Sequence, residues 1–574
     1  MQKLQPQPLP ADTQSRLATA IIWHRAGRLK EAAGMYRLLL EEAPENPDIL
    51  HLLGLVGHQM GHSDFAVRQI IRAVDRNPGK ATFHASLGQV FLALKDYGHA
   101  VMALSNAARL EPDNADHLAN LGHALDAVGA PREAAATYAA LVQLSPGLAE
   151  AWINLANALP TGPRKDSLHR LSLALNPAHA IGHYNAARAA FSSSRHTEAV
   201  GLYRRTLAID PALAEAHGNL AMLLPNTVSS GKLDFYAAAL ALEPAHSGIR
   251  TDAGLALLAR GDLKRGWALH EARLAKKSLA EDRGTGLPRW RGEPLAGKTI
   301  LVWREQGIGD EILFASCLPD LIARAKGGKI FVECEARLAA LFQRSFPEVT
   351  VILGTQLRDH VAQMDVQIPM GSLAMHFRRT LTDFPHHAGY LSADWQRRAG
   401  IAQQIAVLPG ELKIGLCWRS LMAGRQSLAL SLEALAPLFR IPGISFVNLQ
   451  YGPCEAEIAE AEQALGIRLH QIEGLDLTDD LDGVAALITS LDLVITAGTS
   501  VGEMAGALGV HCWRLGRPTE WTLLGTQERP WFPAMRVFSA PAGQRMESLV
   551  PDIRLALSGF QRDCRSFRLG YRCA

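Results

Sequence analysis

The stretch TILVWREQGIGDE, residues 299–311, decides how the second half of this chain is read. TILVW is a short apolar run of the kind that forms a buried strand, and QGIGDE turns it into a helix. Gly307 and Gly309 permit tight backbone curvature, and the helix that follows presents free amides at its start. Asp310 is then either a helix N-cap, worth ~1 kcal/mol, or a group placed for chemistry at the end of a strand.

The pattern continues downstream. KIFVE (329–333), VTVI (349–352) and DVQIP (365–369) form a first set of strands with TILVW, separated by amphipathic stretches. KIGLCW (413–418), SFVNLQ (445–450), LDLVIT (491–496) and HCWRL (511–515) form a second set. Alternating strands and helices predict two parallel α/β sheets, each covered on both faces. Such sheets bind ligands at the carboxyl ends of their strands, so the loops after the strands are the places for chemistry.

Upstream the period is different. Prolines fall at Pro44, Pro78, Pro112 and Pro146, 34 residues apart, and Pro177, Pro211 and Pro244 continue the series. Small residues keep the same beat at Gly54, Gly88, Gly122 and Ala156, and at Ala66, Ala100 and Ala134. Gly88 and Ala100 mark a close helix–helix approach filled by Phe91 and Leu104, and Pro112 ends the second helix. About eight copies run from residue 13 to 275, with degenerate copies near 161–167 and 225–231.

Asn120, Asn154, Asn185 and Asn219 share one repeat position, where the earlier copies have Leu52 and Ser86. A column of primary amides offers donor and acceptor to an extended peptide backbone of any sequence. The other reading of the column is that it caps or bridges neighbouring helices within the array.

Composition excludes several classes. With 48% hydrophobic and 20% charged residues and a net charge of +2, the chain reads as globular. There is no electrostatic case for nucleic acid or an anionic membrane as partner. No run approaches the roughly 20 apolar residues of a membrane span, and MQKLQPQPLPADTQ lacks the core of a secretory signal. The seven cysteines all lie in the second half, none at CxxC spacing, which fits a reducing cytoplasm and no zinc or redox pair.

The 34-residue period with these features resembles the tetratricopeptide repeat. The stretch from WRGEPLAGKTILVWREQGIGDEILFASCLPDL through IGLCWRS, FVNLQYG and LDLVITAGTSVGEMAGALGV to PWFP resembles family 9 glycosyltransferases, the heptosyltransferases, over residues 288–540. The resemblance implies a GT-B fold, with acceptor handled by the first lobe and nucleotide-sugar by the second. The combined layout resembles bacterial flagellin glycosyltransferases, which attach nonulosonic acids such as pseudaminic acid. It is more distantly similar to the O-linked N-acetylglucosamine transferases.

The expected order is a disordered N-terminus (1–12), an all-α tetratricopeptide superhelix (13–280) and a linker (281–297). An N-terminal Rossmann-like lobe (298–405), a C-terminal Rossmann-like lobe (406–558) and a basic tail (559–574) follow.

The resemblance implies that Asp310 is the general base toward the acceptor hydroxyl, on a loop shared with Gly307, Gly309 and Glu305. Glu305 and Glu311 are its neighbouring rivals. Arg419 and Arg425, with Ser420, follow the first strand of the second lobe, where guanidinium groups would stabilise a departing phosphate. Gly498, Thr499 and Ser500 open a helix whose amides and hydroxyls suit an anion. Gln450 and Tyr451 end a strand facing the same side, where they would contact nucleotide or simply pack.

Heptosyltransferases read D-T-x-x-x-H in this region. This chain has Gly498 for the Asp and Glu503 for the His, so ADP-heptose is in doubt as donor. Glu503, one turn into the helix, is either an acceptor for a ribose or sugar hydroxyl or a plain first-turn acid.

The combined expectation is an inverting, metal-independent protein O-glycosyltransferase of the cytoplasm. Its donor would be a CMP-, UDP- or ADP-linked sugar as co-substrate, with no further cofactor. Its acceptor would be Ser or Thr of a polypeptide, flagellin by resemblance. Alternatives are a glycolipid or lipopolysaccharide sugar transferase, and a non-catalytic repeat scaffold with a degenerate transferase domain.

Overall fold

Close packing of paired helices explains the 34-residue beat. A computed structural model describes residues 10–226, 229, 231–275, 284–386, 389–422, 428–541 and 543–572, with side chains to 564. The chain forms two compact units, divided between Leu223 and Leu224.

In the first unit the helices run from Ala11–Arg25 to Ala214–Leu223. The first helix begins at Ala11, inside the stretch expected to be disordered. A Cβ on Gly54 would come 2.6 Å from Ile70 Cγ1, and Gly88 and Gly122 press equally hard on Leu104 and Tyr138. In these three pairs only glycine lets the first helix settle against the second, so the glycine there is a packing requirement; the fourth copy takes a buried Ala156. Ala66, Ala100 and Ala134 are fully buried on the facing helices.

The prolines do more than end helices. Their carbonyls accept from a side chain six residues later: His84 on Pro78, Trp152 on Pro146, His183 on Pro177 and His217 on Pro211, at 2.8–3.0 Å. His117, one place earlier, bonds Glu111 instead. These histidines therefore hold the repeat turns together.

The second unit opens with further helices of the series, Lys232–Leu242, Ser247–Leu258 and Leu263–His270. Gly254 repeats the close approach, against the backbone of Gly266 and His270. From residue 284 the connector lies along a sheet edge: Trp290 N–H donates to Gln367 O at 2.8 Å, and Gln367 N–H to Pro288 O at 3.0 Å. The Trp290 ring is buried in the core.

The first sheet contains β1 (Thr299–Trp303), β2 (Lys329–Glu333), β3 (Thr350–Ile352) and β4 (Val366–Pro369), in the order β3-β2-β1-β4. The second contains β5 (Leu412–Cys417), β6 (Ile444–Asn448), β7 (Leu469–His470), β8 (Leu493–Thr496), β9 (Cys512–Gly516) and β10 (Met535–Ser539). Its order is β10-β9-β8-β5-β6-β7, and every pairing in both sheets is parallel. In each sheet the strand order reverses beside the first strand, which creates a crevice at the carboxyl ends of β1/β4 and β5/β8.

Strands β7 and β10 escape sequence reading. β7 is two residues long, and β10 reads MRVFS, with only Met535 and Phe538 buried rather than a continuous run. The helix Trp395–Ala406, at the end of the span drawn for the first lobe (298–405), packs on Leu481–Ile488 of the second. The stretch expected as a basic tail continues the helix Val550–Arg572 up to residue 572. Phe560 packs into the second core and Gln561 Nε2 donates to Pro442 O at 2.8 Å. Among the described residues no helix is long and apolar enough to cross a membrane.

Candidate functional site

Two helices begin at the two crevices. Ile308–Ala315 follows β1, with Gly307 as its N-cap, and Ser500–Ala507 follows β8, with Thr499 as its N-cap. They pack against each other: a Cβ on Gly309 would stand 3.6 Å from Glu503 Cγ and 3.7 Å from Ser500 Cα. Between the sheets opens a cleft of about 410 Å³, within the range of small-molecule sites.

This cleft is lined by Gly307, Gly309 and Asp310 from the first sheet's loop. Ser420, Tyr451, Gly498, Thr499, Ser500 and Glu503 line it from the second. Residues nearly 200 positions apart, singled out by motif, thus face one space. Asp310 is not the N-cap; it sits in the first helical turn, its amide bonded to Gly307 O at 2.9 Å. Neither glycine of the loop has positive φ, and a Cβ on Gly307 would meet nothing within 4 Å. Gly307 leaves open space before Asp310, and Gly309 faces the helix Ser500–Ala507; neither serves backbone curvature.

Several expected residues are engaged elsewhere. Glu305 is buried in a two-pronged pair with Arg273, Nε–Oε2 and Nη2–Oε1 both 2.7 Å, and accepts from Gly371 N–H. Its carboxylate holds the end of the helical segment to the β4 loop, and it does not line the cleft. Glu311 is equally buried, bonded to Arg304 and to Glu335 N–H, and burial raises its pKa.

Arg419 turns away to Glu457 (3.0 Å) and to Pro453 O (2.7 Å). Gln450 points its amide oxygen at the N–H groups of Trp418 and Arg419, so it braces the β5 turn, while its neighbour Tyr451 reaches the cleft. Arg425 lies outside the described residues.

The cationic lining comes instead from Arg514, Arg517 and Arg529, which sequence reading missed, with Glu520, Trp521 and Thr522 beside them. Arg514 stands in the middle of the buried strand HCWRLG, and a charge there was the available signal. Burial opposes its charge, yet Glu520, 2.5 Å away, and Glu503 hold its pKa above the ordinary value. Burial pushes Glu520 upward, and Arg514 outweighs it, so Glu520 stays below the usual carboxylate range.

In the first unit the four asparagines are half-buried. Asn154 Nδ2 meets His123 at 3.2 Å and Asn219 Nδ2 donates to Tyr184 Oη at 3.2 Å, each on the preceding repeat. Ser86, at the same repeat position, meets His51 at 2.8 Å. The bridging role is therefore observed for Asn154 and Asn219, whereas Asn120 and Asn185 make no such bond among the described residues. The six described cysteines are free; five are buried, and burial pushes the Cys317 and Cys417 thiols up to about 11.

A model of the tetratricopeptide repeat matches residues 59–115 and 168–214. Protein FlbA of Caulobacter vibrioides is 30% identical over 475 residues, covering 77% of this chain and 78% of FlbA. The chain belongs to the FlbA family. The FlbA match is longer than either compact unit, so the relationship extends over both the repeats and the sheet-bearing part.

Solved structures align with part of this chain. YrrB, described as a TPR protein with an unusual peptide-binding site, aligns with TM-score 0.29 and 20% identity over 32% of this chain and 95% of YrrB. Pseudomonas aeruginosa PilF aligns with TM-score 0.32 and 17% identity over 36% of this chain and 96% of PilF.

Proposed function

We propose that this FlbA-family chain is a protein O-glycosyltransferase whose two α/β sheets form a GT-B catalytic pair. The observation that carries the reading is convergence. Asp310, at the carboxyl end of the first sheet, and the Gly498–Glu503 turn, at that of the second, line one cleft of about 410 Å³.

In this reading the donor's phosphate rests against the start of the helix Ser500–Ala507, where unpaired amides favour negative charge. The acceptor hydroxyl enters beside Gly307 and Gly309. Asp310 takes its proton as the oxygen attacks the anomeric carbon; the bond to the phosphate oxygen breaks, and configuration inverts. A base so placed contributes about 10²–10⁴-fold. The repeats supply the protein-binding surface, with Asn120 and Asn185 as open amides for a peptide backbone. Flagellin as acceptor and a nonulosonic acid as sugar rest on the sequence resemblance.

The test is a panel of nucleotide sugars incubated with the full chain and candidate acceptor proteins. Donor consumption coupled to acceptor modification supports the reading. Its absence with every donor and acceptor leaves a binding scaffold as the better description.

A further inference from the structure

At the floor of the cleft, charged side chains are buried together. Arg529, 1% exposed, donates from Nη1 to Glu503 Oε1 at 2.8 Å. Arg514 Nε stands 4.0 Å from the same oxygen, and its Nη1 bonds Glu520. Donors are left over: among the described residues, Arg529 Nε and Nη2, and Arg514 Nε, are buried without a hydrogen-bond partner, as is Glu503 Oε2. Arg517 differs, since its Nη1 already serves the carbonyls of Ala540, Pro541 and Gln544.

Leaving guanidinium N–H groups buried and unmet is costly. Nε and Nη2 form the side edge of the guanidinium, the fork that takes two oxygens of a carboxylate or phosphate at once. A Cβ on Gly498 would come 2.8 Å from Arg514 Nη2, so Arg514 fills the space a side chain there would need. Glycine at 498 admits the Arg514 guanidinium, and the Glu503 carboxylate pairs with Arg529.

We propose that Arg529 and Arg514, aimed by Glu503, form a built oxyanion site in the cleft floor, one that takes either a phosphate of the nucleotide or a carboxylate on the sugar. Glu503 is a positioning residue: by holding Nη1 of Arg529 it leaves the Nε–Nη2 edge for the ligand. Its free Oε2 suits a ligand hydroxyl beside that anion. The transferase reading supplies the choice of ligand, but anion binding does not depend on transfer.

The experiment is titration calorimetry of the full chain with pyrophosphate, a nucleoside monophosphate, a nucleoside diphosphate and glucuronate, with glucose as neutral control. At least one anion binds and glucose does not. Arg529→Lys and Arg514→Lys each weaken that binding tenfold or more, with the melting curve checked for each variant. Glu503→Gln weakens it and Glu503→Asp restores part.

Binding by the phosphates alone assigns the site to the nucleotide, and binding by glucuronate assigns it to the sugar. No anion binding above glucose by the unaltered chain overturns the proposal without any variant. Wild-type affinity in both lysine variants overturns it as well. Anion binding without transfer to any acceptor removes the transferase reading alone; transfer with undiminished anion affinity in the variants removes the oxyanion site alone.

Discussion

Arg273 and Glu305 meet fork to fork, 2.7 Å on each arm, with both side chains 2% exposed. Losing the Glu305 charge leaves buried Arg273 with only the Glu271 carboxylate at 2.8 Å, at a cost of up to about 3–5 kcal/mol. Glu305→Gln is therefore expected to lower the unfolding midpoint sharply in chemical denaturation. The companion Arg273→Met in the same chain should recover part of the loss. A Glu305→Gln protein as stable as the parent would show that the pair does not hold the β4 loop to the helical segment.

Two glycine substitutions should move stability in opposite directions. Gly122→Ala drives a methyl into the ring of Tyr138, which is fully buried and pinned through its hydroxyl to Asp126 at 2.9 Å. Overpacking of this kind costs about 1–3 kcal/mol. Gly201 lies within the helix His196–Ile209 with nothing within 4 Å of a new Cβ. Gly201→Ala should gain up to about 1 kcal/mol from helix propensity. Equal effects in thermal melts would contradict the packing account.

His169 is 2% exposed and neither ring nitrogen has a partner among the described residues; burial lowers its pKa to about 4. Below pH 6.5 the unfolded chain takes a proton that the folded chain refuses, so stability falls from pH 6.5 down to about 4. His169→Leu should flatten that decline without loss at neutral pH. Melting temperatures across this window check it, and an unchanged pH slope would contradict the assignment.

Arg419, tied to Glu457 and Pro453, is expected to be structural. Arg419→Ala should cost no more than about 1 kcal/mol, as a partly exposed pair does, and leave nucleotide affinity within about twofold. Calorimetry reads both quantities; a tenfold loss of nucleotide affinity would return Arg419 to the site.

The repeats were legible because one physical demand, close approach of two helices, recurs at Gly54, Gly88 and Gly122 and imposes a period. The long strands were legible as continuous apolar runs; β7 and β10 were not, being too short or only half-buried. For the site, position after a strand placed Asp310, Ser420 and Thr499 in the cleft. The same rule misled for Arg419 and Glu305, because loop position does not say which way a side chain turns. Arg529 was hidden because its partner, Glu503, lies in a separate element that only the fold brings beside it, whereas Arg514 showed as a charge within an apolar strand and was passed over.

The transferase account is tested most directly by the intact mass of flagellin from the same bacterium, incubated with the full chain and a nucleotide-sugar panel. The account predicts a mass increase of whole sugar residues with one donor, slowed about 10²–10⁴-fold by Asp310→Asn. Flagellin of unchanged mass with every donor, or equal rates for the parent and Asp310→Asn, would contradict it.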